Sequence, residues 1–436
     1  MTMEANDNTP ARRRPTRVRH AVLWLTVLAY MITYMDRVVI STAAPSIQQE
    51  FGFSAITMGW IFSTFQITYA IFQIPGGWLG DRFGPRRALT WIVVWWSSFT
   101  ALTAMTWSAG SMLVCRALFG AGEAGAFPIA TRSLSRWMLP AERGFAQGVT
   151  HAGARLGGAI TPVFVVLLIA DFGWRAPFFV FACVGLIWAA FWFFFYRDLP
   201  SEHKSVNPAE LALITEALGS APKPSRAVKV PWSKLLGNSQ IWTLSAMYFC
   251  YAYSIGIFLT WFPTYLKEAH EFNLTKMGLY ASLPLMAGVA GDIAGGWISD
   301  RMAHKSGNLT MSRRLVAMVG FLLAAATIPM AVLSPDPMTS VAWFCLAVFG
   351  LELTVGVSWA VTLDIGGNYA GSVSAVMNTC GNIGGAIASF ATGYIVTYAG
   401  WNPAFFVLAV LCFAAALLFL RIDASKPLYR GDPAPV

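Results

Sequence analysis

The chain has 436 residues, 56% hydrophobic and only 12% charged, with a formal net charge of +9. Soluble domains carry about 25% charged residues, so this composition excludes a soluble globular fold, and the mean hydropathy of +0.56 agrees. The excess of positive charge is not a nucleic-acid surface, because Lys and Arg sit in short clusters beside apolar blocks, as in the cytoplasmic loops of membrane proteins.

Residues 1–19 read as a cytoplasmic tail carrying Arg12, Arg13, Arg14, Arg17 and Arg19. The apolar block that follows, from about Ala21 to Ala44, is too long for the core of a signal peptide and reads as a first spanning helix. About twelve spanning helices are predicted, over 20–44, 55–79, 87–107, 110–136, 144–170, 174–196, 239–267, 276–299, 313–333, 338–363, 369–398 and 400–421. The fold expected is therefore an all-α membrane protein. It has an N-terminal six-helix bundle (20–197), a cytoplasmic linker (198–238), a C-terminal six-helix bundle (239–421) and a cytoplasmic tail (422–436).

Orientation follows from Lys and Arg. Loops on the side of the N-terminus hold Arg82, Arg86, Arg87, Arg136, Arg143, Arg197, Lys204, Arg301, Lys305, Arg313 and Arg314, among others; the opposite loops hold Arg175, Lys267 and Lys276. Both termini are thus expected in the cytoplasm, with the protein multi-pass in the cell inner membrane. In the linker, Asn207-Pro208-Ala209-Glu210 reads as an N-cap, a proline at the first helical position and a capping-box acid, opening a short surface helix to about Leu218. The Pro-rich 222–231 stretch reads as linker. The six cysteines fall inside apolar blocks without ligand spacing, so no disulfide framework, metal or cofactor is expected.

The halves repeat. Gly76-Gly77-Trp78-Leu79-Gly80-Asp81-Arg82 ends the second helix and Gly295-Gly296-Trp297-Ile298-Ser299-Asp300-Arg301 the eighth. Gly173-Trp174-Arg175-Ala176-Pro177-Phe178-Phe179 opens the sixth and Gly400-Trp401-Asn402-Pro403-Ala404-Phe405-Phe406 the twelfth, at offsets of 219 and 227 residues. Repeated halves fit a transporter built around a midplane site. No HExxH, GxSxG, Walker loop or strand-borne GxGxxG argues for an enzyme or for ATP drive.

Ionisable groups inside spanning helices are costly and are functional candidates by default. Asp36 and Arg37 lie in the first helix, Arg116 and Glu123 in the fourth. Arg116 and Glu123, seven residues apart, share a helix face, whereas adjacent Asp36 and Arg37 diverge by about 100°. Two arginines and two acids form a mutually neutral set. An arginine fork grips a carboxylate, and a buried acid can exchange a proton, so the set could couple proton binding to anion binding or simply pair helices. Arg155 in the fifth helix would suit a dicarboxylate or an aromatic anion, or would pair with Asp36 or Glu352. Glu352 in the tenth helix is a further proton site or the partner of Arg155, and Asp292 is expected to brace Arg301 or a helix terminus.

The loop Gly77-x-x-x-Asp81-Arg82-x-Gly84-x-Arg86-Arg87 resembles the signature of the major facilitator superfamily. Within it, the chain is similar to the anion:cation symporter family through Tyr34-Met35-Asp36-Arg37, Gln73-Ile74-Pro75-Gly76-Gly77-Trp78, Arg116-x-x-x-Gly120-x-x-Glu123-x-x-x-Phe127-Pro128, Pro140-x-Glu142-Arg143-Gly144 and Phe258-Leu259-Thr260-Trp261-Phe262-Pro263. This family includes bacterial galactonate, hexuronate, glucarate, tartrate and phthalate transporters and vesicular glutamate transporters. The resemblance implies a proton-coupled symporter of a small organic anion, a sugar acid or other carboxylate, monomeric in the bilayer. It implies proton-coupling roles for Asp36 and Glu123 and anion-handling roles for Arg37 and Arg116. Tyr34, Tyr69, Ser358, Trp359, Thr362 and Asn378 fall at its substrate-contacting positions. Gly77, Asp81, Arg82, Gly84, Arg86 and Arg87, with Asp300 and Arg301 in the degenerate second copy, would form a cytoplasmic gate. A proton/drug antiporter, disfavoured by the paired arginines, and a non-transporting membrane sensor are the alternatives.

Overall fold

A computed structural model describes residues 14–139, 142–219, 232–366 and 369–426. Arg12, Arg13, Pro140, residues 220–231 of the linker and the final ten residues of the tail lie outside the described residues, as does the side chain of Asp81.

Among the described residues there are fifteen α-helices and no strand. This is what a bilayer demands, since a spanning backbone must satisfy its own hydrogen bonds. α1 (Val18–Phe51) ends on left-handed Gly52, whose N–H returns to the Gln48 carbonyl at 2.9 Å. α2 (Ala55–Ala104) contains the second and third crossings, joined where Gly84 leaves helical geometry at φ 79°. The expected fourth helix divides into α3 (Ala109–Glu123) and α4 (Ala126–Trp137). Pro128 has no N–H to offer the Ala124 carbonyl, so the continuous 110–136 helix of the sequence reading is broken just after Glu123. α5 (Arg143–Phe172) and α6 (Ala176–Phe195) complete the first half.

Past a short 3-10 turn, α7 (Pro208–Gly219) is the expected linker helix, and α8 (Trp232–Leu236) follows. The seventh crossing is α9 (Ser239–Thr260) plus α10 (Phe262–Ala269), broken where Pro263 cannot pair with the Leu259 carbonyl. α11 (Leu274–Ser306), α12 (Leu309–Leu333), α13 (Pro337–Gly366), α14 (Ala370–Ala399) and α15 (Trp401–Leu420) finish the second half. Ten segments are long and apolar enough to cross a membrane by composition alone. The second limb of α2, rich in Trp, Ser and Thr, and Gly-rich α14 bring the crossings to twelve, packed on α3 and α6 and on α9 and α2 respectively.

The internal repeat is visible in three dimensions. Trp174 Nε1 donates to Glu50 at the end of α1 (2.6 Å), and Trp401 Nε1 donates to Glu268 at the end of α10 (3.1 Å). Each GW motif thus docks its indole on an acid ending the first crossing of its own half.

One face carries the linker and both described chain ends. Asn207 Oδ1 caps α7 by accepting from Glu210 N (2.8 Å), but Glu210 departs from the capping-box expectation. Its buried carboxylate accepts instead from Val18 N and Arg19 N (3.2 Å each) and from the Thr16 hydroxyl, capping α1. Toward the chain end, Asp423 N donates to Gln240 at the start of α9 (3.3 Å). On the opposite, far face the halves meet through small residues. A Cβ on Gly278 would lie 2.5 Å from Val166 Cγ2, and one on Gly393 2.5 Å from the Ala55 carbonyl. Ser63 donates across this seam to the Ala386 carbonyl (2.7 Å).

Candidate functional site

Between the halves lies a cavity of about 1050 Å³. It runs from Ser41 and Gly256 near mid-membrane to Phe145, Gln147 and Leu363 at the linker-face ends of α5 and α13. Its size is that of a ligand site. Tyr34, Arg37, Tyr69, Arg116, Arg155, Trp359 and Asn378, all proposed from the sequence as substrate contacts, line it.

Arg37 projects from α1 to the cavity wall. Its Nε donates to Glu123 Oε1 at 2.5 Å, and its guanidinium carbon lies 4.5 Å from the Tyr69 ring and 5.2 Å from Tyr34. Phe65 and Phe127 close the cage at 5.3 and 5.6 Å. Arg37 Nη2 and Glu123 Oε2 have no hydrogen-bond partner. Glu123, fully buried, ends α3 at the break, where the chain turns past the close contact of Gly76 and Gly125. Arg116 is 2% exposed, its guanidinium 4.4 Å from the Phe119 ring. Asp36 takes the direction expected of a neighbour 100° away. It is buried behind the cavity wall beside Arg116, with the Thr100 hydroxyl and the Trp96 indole close to its carboxylate.

The second charged group spans the halves. Arg155 on α5 donates from Nη1 to Glu352 Oε1 on α13 (2.8 Å) and from Nη2 to the Tyr251 hydroxyl on α9 (3.2 Å). The Tyr251 hydroxyl donates to the same Glu352 oxygen (3.0 Å), leaving buried Glu352 Oε2 without a partner. Of the partners open in the sequence, Glu352 and not Asp36 holds Arg155. A void of about 10 Å³, room for roughly one water molecule, lies against this pair, lined by Tyr34, Arg155, Leu259, Leu285 and Glu352.

Ser358 departs from its expected role. Its hydroxyl returns to the Thr354 carbonyl (2.7 Å) and faces the Met247 sulfur (3.9 Å), so it is buried between α13 and α9 rather than facing the cavity. Thr362 likewise spends its hydroxyl on the Trp359 carbonyl and Ser374, each at 2.7 Å. Trp359 Nε1 donates to the Tyr248 hydroxyl (3.1 Å). Asp292 also departs from expectation. It lines the cavity near His151, Arg155 and Glu352 and does not brace Arg301. Its place was signalled by spacing, four residues after Gly288, where a Cβ would lie 3.0 Å from Glu352 Cγ, hence on the same helix face. Tyr248 and Asn382, not singled out in the sequence, complete the polar lining.

The gate residues are bound within their own halves. Gly84, at φ 79°, sits where a Cβ would lie 2.7 Å from Asp198 Oδ2. Arg86 N donates to Asp198 Oδ1 (3.1 Å), and its Nε to the Phe193 carbonyl (2.9 Å). Gly77 rests against Pro128, Arg82 lies over Trp78, and Arg87 is exposed. In the second half, Asp300 pairs with Arg313 (2.7 Å), which also holds Asp364 (3.1 Å), and Arg301 lies over Trp297. The cavity reaches the linker face and, among the described residues, these contacts do not tie one half to the other. Among the described residues, no group of three or more His, Cys, Asp or Glu side chains could hold a metal ion.

Twelve crossings in two repeated halves around a charged midplane cavity define a secondary-transporter architecture. The chain matches the Major Facilitator Superfamily over residues 26–389 and 311–435 and belongs to it. It is 40% identical to the "Probable sulfoacetate transporter SauU" of Cupriavidus necator, over 95% of this chain and 96% of that one. It is 34% identical to the "Hexuronate transporter" of Bacillus subtilis, over 95% and 98%. Among solved structures, a bacterial homolog of the human lysosomal transporter Spinster in an inward-facing, occupied conformation superposes with a TM-score of 0.74 at 19% identity, covering 94% of this chain and 98% of that one. The protein is thus a multi-pass membrane transporter of the Major Facilitator Superfamily, with organic-anion transporters among its relatives, and not an enzyme.

Proposed function

We propose that this protein is a symporter that imports a small organic anion together with protons across the cell inner membrane, as a monomer, by exposing its cavity to each side in turn. The observation that carries this reading is the Arg37–Glu123 pair at the cavity wall. A guanidinium caged by Tyr34, Tyr69, Phe65 and Phe127 is held through one nitrogen by a buried acid. An incoming carboxylate or sulfonate competes with Glu123 for that guanidinium, and burial favours the neutral acid once Glu123 has lost its hydrogen-bonded arginine. Anion binding and protonation therefore favour each other. Asp36, buried beside Arg116 behind the cavity wall, would hold a second proton.

The linker face, with its basic loops, is the cytoplasmic side on this reading, and the cavity is open to it. The relatives' names, a probable sulfoacetate transporter and a hexuronate transporter, support a substrate that is small, hydrophilic and acidic.

The test is uptake of labelled sulfoacetate and glucuronate into proteoliposomes, in sodium-free and sodium-containing media, with an imposed proton gradient. Wild-type protein accumulates at least one of them only with the gradient and without sodium. Glu123→Gln loses gradient-driven accumulation while retaining exchange. A Glu123→Gln carrier that still concentrates substrate with an intact gradient dependence would sink the role given to Glu123.

A further inference from the structure

The cavity holds not one arginine–glutamate pair but two, built alike. Arg37 is held by Glu123 within one half, and Arg155 by Glu352 across the halves. Both arginine side chains are about one-fifth exposed to the cavity, while Glu123 and Glu352 are 0% and 2% exposed. Each glutamate gives one oxygen to its arginine, and in each the second oxygen is buried without a partner. Packing alone is a poor reason for either pair, because an apolar pair of similar volume often stabilises a buried site as well or better.

The pairs are neighbours. The Tyr34 ring that stacks on Arg37 also lines the small void beside Arg155 and Glu352, and it packs against the Gly158 backbone one turn from Arg155. A single tyrosine therefore separates two guanidinium groups on one cavity wall.

Resting on the symport reading above, we infer that Arg37 and Arg155 are the two ends of one site for a short dianion. A substrate with an anionic group at each end takes both guanidinium groups from their glutamates, and Glu123 and Glu352 each bind one proton in exchange. The charges balance: two negative charges enter with two protons, and each arginine keeps one anionic partner throughout. The groups facing Glu352 are Arg155 on α5, Tyr251 and Tyr248 on α9 and Asp292 on α11, with His151 on α5 and Tyr34 on α1 beside Arg155. Those facing Glu123 are Arg37 and Asp36 on α1, Tyr69 on α2 and Arg116 on its own helix. In each set the cavity-exposed arginine, Arg155 or Arg37, is the charged group that a substrate anion can take over, Arg116 being 2% exposed. A monoanion occupies Arg37 and leaves Arg155 on Glu352. Arg155 is then a specificity-determining residue.

The experiment is calorimetric titration of the purified full chain with sulfoacetate and with sulfoacetamide, which keeps the sulfonate and replaces the carboxylate by a neutral amide. Glucuronate serves as a second monoanion. Titrations in buffers of different ionisation enthalpy count the protons taken up. Wild-type protein prefers sulfoacetate by roughly 10- to 100-fold and takes up about one more proton with it than with sulfoacetamide. Arg155→Gln collapses the preference toward unity. Glu352→Gln, which frees Arg155, tightens sulfoacetate and removes the extra proton. The double variant Arg155→Gln/Glu352→Gln, which keeps a neutral hydrogen-bonding pair, behaves as Arg155→Gln and controls for folding. Equal affinity of the wild type for the two sulfonates overturns the proposal, as does equal loss of sulfoacetate in both single variants with an unchanged proton count. In either case the symport reading stands if glucuronate or sulfoacetamide binds with proton uptake. Failure of all three anions to bind the wild type removes that reading itself.

Discussion

Gly278 offers a direct test of the far-face seam. It lies on α11 against α5, where a Cβ would meet Val166 Cγ2 at 2.5 Å and the Pro162 carbonyl at 2.8 Å. Val166 is buried, and the second obstacle is backbone, so neither neighbour can simply swing away. Overpacking of this kind costs about 1–3 kcal/mol. Because the clash exists only while the halves touch here, the cost falls on the conformation with the far face closed. It should shift the balance toward the far-open form by roughly 5- to 150-fold. Gly296→Ala on the same helix, where a Cβ would meet nothing within 4 Å, is the matched control. Spin labels at Trp107, exposed in a far-face loop of the first half, and at Met338, exposed in the first turn of α13 in the second, report the opening. The distance distribution by electron–electron resonance should lengthen in Gly278→Ala and stay put in Gly296→Ala. Identical distributions in both would show that the seam is not a moving contact.

Gly84→Ala puts a side chain at φ 79°, ψ 152° and against Asp198, so thermal unfolding should show a loss of about 1–3 kcal/mol. Glu210→Ala removes the carboxylate that caps α1, costing about 1–2 kcal/mol, with faster amide exchange at Val18 and Arg19 as the specific readout; Glu210→Gln should restore part of it. Asp423 accepts hydrogen bonds from Ser425, Thr310 and Lys426, which hold its carboxyl below the usual carboxylate range. Since the folded-state value is the lower one, its contribution is complete above pH about 4 and is lost as pH falls further. Protection of the Ser425 amide, relative to its intrinsic exchange at each pH, should persist at pH 4 in the wild type and fall at both pH 4 and neutral pH in Asp423→Ala, which leaves only the Thr310 hydroxyl to accept from it.

What the sequence made legible was whatever is written locally. Long apolar blocks name the crossings because a bilayer accepts few other solutions. The 100° between Asp36 and Arg37 separates a buried acid from a cavity-facing arginine, and Asn207-Pro208 opens α7 as its capping chemistry requires. What failed depends on distant partners. Arg155 and Glu352 lie 197 residues apart, so no spacing rule could choose Glu352 over Asp36. Glu210 obeys its local pattern up to the side chain, then serves a helix 191 residues away. Ser358 was assigned by position. A buried helical serine can satisfy its hydroxyl on the preceding turn, and here it does so away from the cavity.

The two kinds of inter-half contact differ in how they can open. The glycine and alanine contacts of the far-face seam carry no charge, so parting them loses packing in proportion to the surface released. The Arg155–Glu352 pair cannot part by degrees, because separating it leaves a charge unpaired in a nearly dry site, at about 3–5 kcal/mol. On the reading proposed above, an empty, deprotonated carrier is held closed on its far face by this pair, whatever the seam permits. A substrate anion on Arg155 with a proton on Glu352 satisfies both groups separately and removes that barrier. The pair would then link specificity to coupling. The same exchange that admits the second anionic group frees the halves to move, and a proton reaching Glu352 alone leaves Arg155 unpaired. Proton leak without substrate should accordingly rise in Arg155→Gln, where no unpaired cation remains to oppose it, and stay low in the wild type. Passive proton flux into substrate-free proteoliposomes, read with an internal pH dye, decides the point. Equal flux in the two proteins would mean that the pair does not hold the far face closed.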